Sequence, residues 1–220
     1  MRRSQNPARP TPAELAGQIQ TAFVSSGCRH LLITGLPGRG KSTVLQALLP
    51  WYLPRLAGGL LSALQTPAAD PAGLTAAGSA AAPPYRRVVL WPWQPASNGA
   101  RDDAVAVWPP ERVQKIWQAP PEAWLAGESL GKGQPLTVKP VAFREAAGYL
   151  RALGGQPGDF VLLDELGWLE NSQPAYLEQV QTLAGQKRLL AVIRKQGSAA
   201  GDRLRARQDS FTADLDCGPA

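Results

Sequence analysis

The sequence predicts an α/β fold in which a mostly parallel β-sheet is covered by helices on both faces. Three observations carry that expectation. The apolar runs His30–Thr34, Phe160–Glu165 and Arg188–Ile193 are continuous rather than alternating, the pattern of strands buried on both faces of a parallel sheet. Strand-like and helix-like stretches alternate along the chain, which is how helices come to flank such a sheet. Between the first strand and the helix after it stands the run Gly35-Leu36-Pro37-Gly38-Arg39-Gly40-Lys41-Ser42, a strand–glycine loop–helix order that has a known chemical use.

The elements follow in chain order. Residues 1–10, with Arg2, Arg3, Arg9 and several prolines, read as a disordered basic tail. Residues 11–220 are expected to form a single domain. Thr11-Pro12-Ala13-Glu14 is a capping box with proline at the first helical position. The helix it opens carries Leu15, Ile19, Ala22 and Phe23 on one face and ends near Ser26-Gly27. After the first strand, Thr43–Leu49 reads as helix, and Pro50 and Pro54 break it. Gly59–Gln65 is expected to be a second strand, and the Ala/Pro-rich residues 66–84 a flexible surface insertion. Arg87–Trp91 and Ala104–Trp108 are rich in β-branched and aromatic residues and read as a hairpin around Pro95, Ser97, Asn98 and Gly99.

Residues 109–140 carry little pattern beyond a short helical turn over Arg112–Gln118. Gly127–Lys132 imitates a second glycine loop, but with the wrong glycine spacing, and reads as a mobile loop. From Ala142 the apolar positions Phe143, Ala146, Ala147, Leu150 and Leu153 recur at helical spacing until Gly154-Gly155 stops them. A strand over Phe160–Glu165, a helix over Pro174–Leu183, a strand over Arg188–Ile193 and an edge strand near Ser210–Leu215 complete the list.

Composition narrows the function. The net charge of +6 suits a polyanionic ligand without arguing for DNA or RNA. No apolar run approaches the ~18 residues of a membrane span. Pro7, Pro10 and Pro12 stand where a signal peptide would carry its apolar core. The expected location is the cytoplasm, with no membrane partner. Cys28 and Cys217 are too isolated for a disulfide framework or a zinc site. His30, just before the first strand, reads as a surface or packing residue rather than a base. Trp91, Trp93 and Trp108 read as hairpin packing rather than as stacking platforms for single-stranded nucleic acid.

The glycine loop carries the chemistry. It matches G-x-x-x-x-G-K-[ST] in full. Gly35, Gly38 and Gly40 free the backbone so that successive N–H groups can face one anion. The opening turn of the next helix adds unpaired N–H groups and its dipole. Leu36, Pro37, Arg39 and Thr43 complete the expected phosphate cradle. Lys41 is expected to reach the outer phosphates and Ser42 to ligate Mg²⁺. The second half of the site is expected at the carboxyl end of a buried strand beside the loop strand. There Asp164 would hold Mg²⁺, usually through water, and Glu165 would orient or deprotonate a water for in-line attack. Arg194, at the end of the last core strand, is the expected charge-neutralising arginine. Lys195, Arg39, Arg144 and Arg151 are weaker choices. Asp164-Glu165-Leu166-Gly167 also matches a D-x-x-G pattern, but no guanine-reading N-K-x-D follows.

Asp164-Glu165-Leu166-Gly167-Trp168-Leu169-Glu170, with the glycine loop upstream, resembles the signature of the THEP-type P-loop nucleoside triphosphatases over residues 30–200. That resemblance implies a three-layer, RecA-like fold with a β-hairpin excursion after the loop helix. It implies Mg²⁺-dependent hydrolysis of ATP, GTP and other nucleoside triphosphates with loose base selectivity, and it puts Glu170 at a third acidic position. Two alternatives remain beside hydrolysis. One is a P-loop kinase passing the γ-phosphate to a small acceptor, with Arg203, Arg205 and Arg207 late for its lid. The other is a nucleotide-gated binding module for a protein partner that the sequence does not name.

Overall fold

A computed structural model describes residues 10–65, 86–95, 113, 115–129 and 133–217. Among these residues, five α-helices surround one eight-stranded, mostly parallel sheet. The strands are β1 (His30–Thr34), β2 (Leu56–Gln65), β3 (Arg86–Trp93), β4 (Trp124–Ser129), β5 (Thr137–Val138), β6 (Phe160–Leu166), β7 (Arg188–Ile193) and β8 (Ser210–Asp214). The helices are α1 (Pro12–Ser26), α2 (Lys41–Leu48), α3 (Pro140–Gly154), α4 (Pro174–Gln186) and α5 (Ala199–Arg205). The sheet order is β5-β4-β3-β2-β6-β7-β1-β8. The block from β2 to β8 is parallel, and β3, β4 and β5 extend it as an antiparallel wing.

The continuous apolar runs have the cause expected of them. Within each core strand, successive side chains enter different layers. Leu31, Ile33, Phe160, Leu162, Leu190 and Val192 pack with α1 and α2. Leu32, Val161, Leu163, Leu189, Ala191 and Ile193 pack with α3, α4 and α5. Side chains alternate across a strand, so a strand covered on both faces needs apolar residues at every position.

Local chemistry sets most boundaries. Thr11 and Glu14 form the expected capping box, and Gly27 ends α1 in a left-handed conformation. Ala16, Ile19 and Phe23 are buried, whereas Leu15 and Ala22 are half-buried. Gly58 and Gly59 let α3 and β6 approach β2. A Cβ on Gly58 would lie 2.7 Å from Leu153 and 2.9 Å from the Trp93 carbonyl, a contact only glycine avoids. Gly58 hides the first three residues of β2 from sequence reading, because the strand starts at Leu56 rather than Gly59.

Other expectations need correcting. Helix α3 begins at Pro140, before Ala142, because proline is well suited to a first helical position. Helix α4 runs on to Gln186, and α5 was not read from the sequence at all. The wing strands β4 and β5 lie inside the stretch without pattern, where Val113, Lys115 and Ile116 are also helical. Gly127–Ser129 is therefore strand, not mobile loop, since β3 and β5 supply the ladder its backbone needs. Strand β3 does turn back antiparallel, but its described partners are β2 and β4. The expected Ala104–Trp108 limb, the 66–84 insertion, residues 130–132 and the tail up to residue 9 lie outside the described residues. Trp91 is buried, as a packing role requires, and its indole N–H donates to the Ile116 carbonyl at 3.3 Å.

His30 is not before β1 but is its first residue, and it is fully buried. Its Nδ1 accepts from the Leu189 N–H at 3.1 Å, and its Nε2 lies 3.4 Å from Asp209. Burial pushes its pKa down to about 4, against the opposing pull of Asp209. An unfolded chain binds this proton near pH 6.5, so between pH 6.5 and 4 the unfolded state holds more protons and stability falls as pH falls. Asp209, held down to about 2 by Arg207, contributes only below that window. The chain is expected to lose about 1–3 kcal/mol of stability from this group across the window. Urea denaturation at a series of pH values checks it. His30→Asn, which keeps an acceptor for Leu189, should flatten the slope. An unchanged slope would assign the pH dependence to other groups.

Candidate functional site

The parallel strands bring their carboxyl ends to one edge of the sheet, and a cavity of about 950 Å³ lies there. In open α/β sheets that edge is where crevices for ligands form. Seven of the eight loop residues line it, together with Thr43, Ser62 beyond the middle of β2, Glu165 in β6 and Arg194 after β7.

The glycine loop leaves β1 at Gly35 and becomes α2 at Lys41. Gly38 and Gly40 have φ of 77° and 80°, the left-handed region that a Cβ disfavours. Gly40 caps α2 without a side-chain hydrogen bond. The N–H groups of the first helical turn therefore have no acceptor from the helix or from a cap side chain. Lys41 is buried at the loop's centre. Its ammonium donates to the Gly35 carbonyl at 3.1 Å and the Leu36 carbonyl at 3.4 Å. An ammonium has three donors, so one is left for an anion.

Asp164 comes from β6. The sequence reading put its strand next to β1, but β7 lies between them. Two strand spacings are roughly 10 Å, and the loop with the first turn of α2 spans that gap. As a result the Ser42 hydroxyl donates to Asp164 Oδ1 at 3.2 Å. The Trp117 indole N–H donates to Oδ2 of the same carboxylate. Burial pushes Asp164 up to about 6, while Trp117 and Ser42 oppose the rise. Glu165 is half-buried at the cavity wall, and its backbone N–H donates to the Ser62 hydroxyl at 2.9 Å.

The turn after β6 is held by Glu170, whose carboxylate accepts from the Gly167 N–H at 3.0 Å. Glu170 is buried, and burial pushes it up to about 7. Arg194 is exposed on the cavity wall, with its backbone N–H on the Leu166 carbonyl. Arg144 and Arg151 lie on α3, outside the cavity lining.

Arg39 departs from expectation: it alone of the loop residues does not line the cavity. Its guanidinium is bonded to Asp216 at 2.8 Å. Asp216 also accepts from the Leu36 N–H at 3.0 Å and from Lys195 at 2.8 Å. Lys195 in turn reaches Asp214 at 2.9 Å, and these two carboxylates hold its pKa well above the ordinary lysine value. The turn after β8 thus pins the loop from outside, and Arg39 and Lys195 serve that clamp.

Ser62, Trp117 and Asp216 were not found from the sequence. Each acts through a contact more than 45 residues away in the chain or across the sheet, and none sits in a local pattern. The nearest signal was the short helical turn that carries Trp117.

Among the described residues no cluster of three or more His, Cys, Asp or Glu side chains could hold a metal. The Ser42–Asp164 pair nevertheless fits Mg²⁺, which takes one or two protein oxygens and completes its shell with phosphate and water. No described helix is long and apolar enough to cross a membrane. Compared with known protein families, curated proteins and solved structures, the chain matches none.

Proposed function

We propose that this chain is a P-loop nucleoside triphosphatase that hydrolyses ATP, GTP or a related triphosphate to the diphosphate and phosphate. One observation carries the reading: the glycine loop and the acidic end of β6, 122 residues apart, meet in the Ser42–Asp164 contact. A glycine turn with no chemical role has no reason to bring a hydroxyl that lines a cavity onto a carboxylate buried behind it.

In this reading the backbone N–H groups of Gly38, Gly40, Ser42 and Thr43, with the α2 dipole, cradle the phosphates, while Gly35, Leu36 and Pro37 shape the first half of the loop, the Leu36 N–H being held by Asp216. Arg39 belongs to the cradle through its backbone alone. Lys41 binds the outer phosphates. Ser42 and Asp164 would hold Mg²⁺, which supplies charge neutralisation at the phosphate oxygens when bound. Glu165 takes the proton of the attacking water, and Arg194, which lines the same cavity, neutralises the developing charge. The γ-phosphorus gains a bond to the water oxygen as its bond to the bridging oxygen breaks.

A kinase reading draws on a different observation. The cavity continues beyond Glu165 along Leu64, Arg86, Val88, Leu136 and Phe143, space that one water does not need. Product analysis separates the two. With Mg²⁺ and each common triphosphate alone, free phosphate is expected in amounts equal to the diphosphate formed. Turnover that requires an added small acceptor would replace the hydrolase with the kinase. Tight binding without either product would leave the nucleotide-gated module.

A further inference from the structure

The opposite edge of the sheet, at the amino ends of β6 and β7, holds a second cavity of about 280 Å³. Its walls include Phe23 of α1, Trp51, Tyr52 and Arg55 of the segment after α2, Phe160 at the start of β6 and Arg188 at the start of β7. None of these residues belongs to the phosphate-loop cavity.

Two features of this cavity stand together. The first is a pair of arginines sharing one aromatic ring. The Arg55 and Arg188 guanidinium carbons lie 5.1 Å and 4.6 Å from the Phe160 centroid, and Arg188 lies 5.8 Å from the Phe23 centroid. Each position is favourable for a cation over a ring, but the two positive charges oppose each other. Burial and Arg55 together lower the Arg188 pKa. The partners do not neutralise the pair. Arg55 is bonded to Asp159, whereas Arg188 donates only to the carbonyls of Arg29 at 3.1 Å and Cys28 at 3.2 Å. Two guanidiniums and one carboxylate leave a positive charge at the cavity, and Arg29 adds to the repulsion on Arg188.

The second feature is an exposed indole beside that charge, set over buried aromatic rings. Trp51 is 49% exposed, and the neighbouring Val24 is 66% exposed. Tyr52 stands edge-on to Phe160 with centroids 4.7 Å apart. Large exposed apolar side chains around a concave, charged floor are the usual composition of a ligand pocket.

We propose that this cavity is a binding site for a small aromatic anion, with its ring against the exposed Trp51 indole and its acidic group on Arg188 and Arg55. The volume suits a one- or two-ring acid. Binding there adds the missing negative charge between the guanidiniums and covers the exposed indole. The site is independent of the triphosphate reading, since it shares no residue with it.

Cys28 lines the same cavity and is half-buried, so its alkylation reports occupancy. Cys217, the other cysteine, is exposed and is removed as Cys217→Ser. In that background, saturating 2-naphthoate is expected to slow alkylation of Cys28 by N-ethylmaleimide about tenfold or more, whereas neutral 2-naphthalenemethanol should not. Arg55→Gln should raise the naphthoate concentration needed for half-protection about tenfold, the worth of one charged hydrogen bond. Arg188→Gln should do the same. If losing its backbone contacts unfolds that variant, half-exposed Arg55 still decides the matter. Absence of protection at millimolar naphthoate, equal protection by the neutral alcohol, or unchanged protection in Arg55→Gln would each overturn the proposal.

Discussion

Lys41→Ala is expected to lower nucleotide turnover by on the order of 10²–10³-fold while leaving the chain folded. The ammonium sits inside the loop and touches two backbone carbonyls, Gly35 and Leu36. Leu36 is exposed, so water can replace the bond to its carbonyl. The loop itself stays clamped by Asp216 through Leu36 and Arg39. What disappears is a positive charge placed where negative charge builds up, which acts on the rate rather than on the fold. Phosphate release, paired with circular dichroism of the same sample, checks both halves. Normal turnover by a folded Lys41→Ala chain would sink the phosphate-loop reading.

The second large effect separates the neighbouring acids. Asp164→Asn should raise the Mg²⁺ concentration required for turnover, because Asp164 contacts Ser42 and is walled in by Trp117. Glu165→Gln should leave nucleotide and Mg²⁺ binding nearly intact and slow hydrolysis about 10²-fold or more, since an amide takes no proton. Glu165 contributes its backbone, not its side chain, to the Ser62 contact, so the substitution leaves that strand pairing alone. The Glu165→Gln chain should then be recoverable with unhydrolysed triphosphate bound. Hydrolysis at the normal rate would make Glu165 structural. Glu170, which also lines the cavity, would then be the next candidate, through the oxygen not bonded to the Gly167 N–H. That bond and its burial read more simply as a clamp on the turn after β6.

Several elements were legible because local chemistry decides them. The capping box of α1, the glycines of the loop and the stop at Gly154-Gly155 each satisfy or terminate backbone hydrogen bonds within a few residues. The core strands were legible because burial on both faces leaves a contiguous apolar trace. The wing was not. Strands β4 and β5 owe their existence to pairing with β3 across the sheet. The start of β2 was hidden because Gly58 is chosen for the approach of α3 rather than for strand propensity. His30 read as either a surface or a packing residue, and only the structure decides for packing, because nothing in its neighbours announces that Leu189 will donate to it.

The candidate site divides along the same line. Sequence by itself determined the glycine loop between strand and helix, the paired acids at the end of a buried strand and the layered α/β class. These depend on residue types at fixed short spacings, which a folded chain carries wherever the segment goes. Only the tertiary structure decided which groups meet. It put β7 between the loop strand and Asp164, yet brought Ser42 onto that carboxylate. It took Arg39 out of the cavity, and it tied both Arg39 and Lys195, which stays on the cavity wall, to Asp216. It sent Trp117 to Asp164 and Ser62 to Glu165. The physical reason is that hydrogen bonds and ion pairs are indifferent to distance along the chain. Their partners are chosen by sheet order and by which helix ends share an edge, and strand order is set by packing among all the elements together.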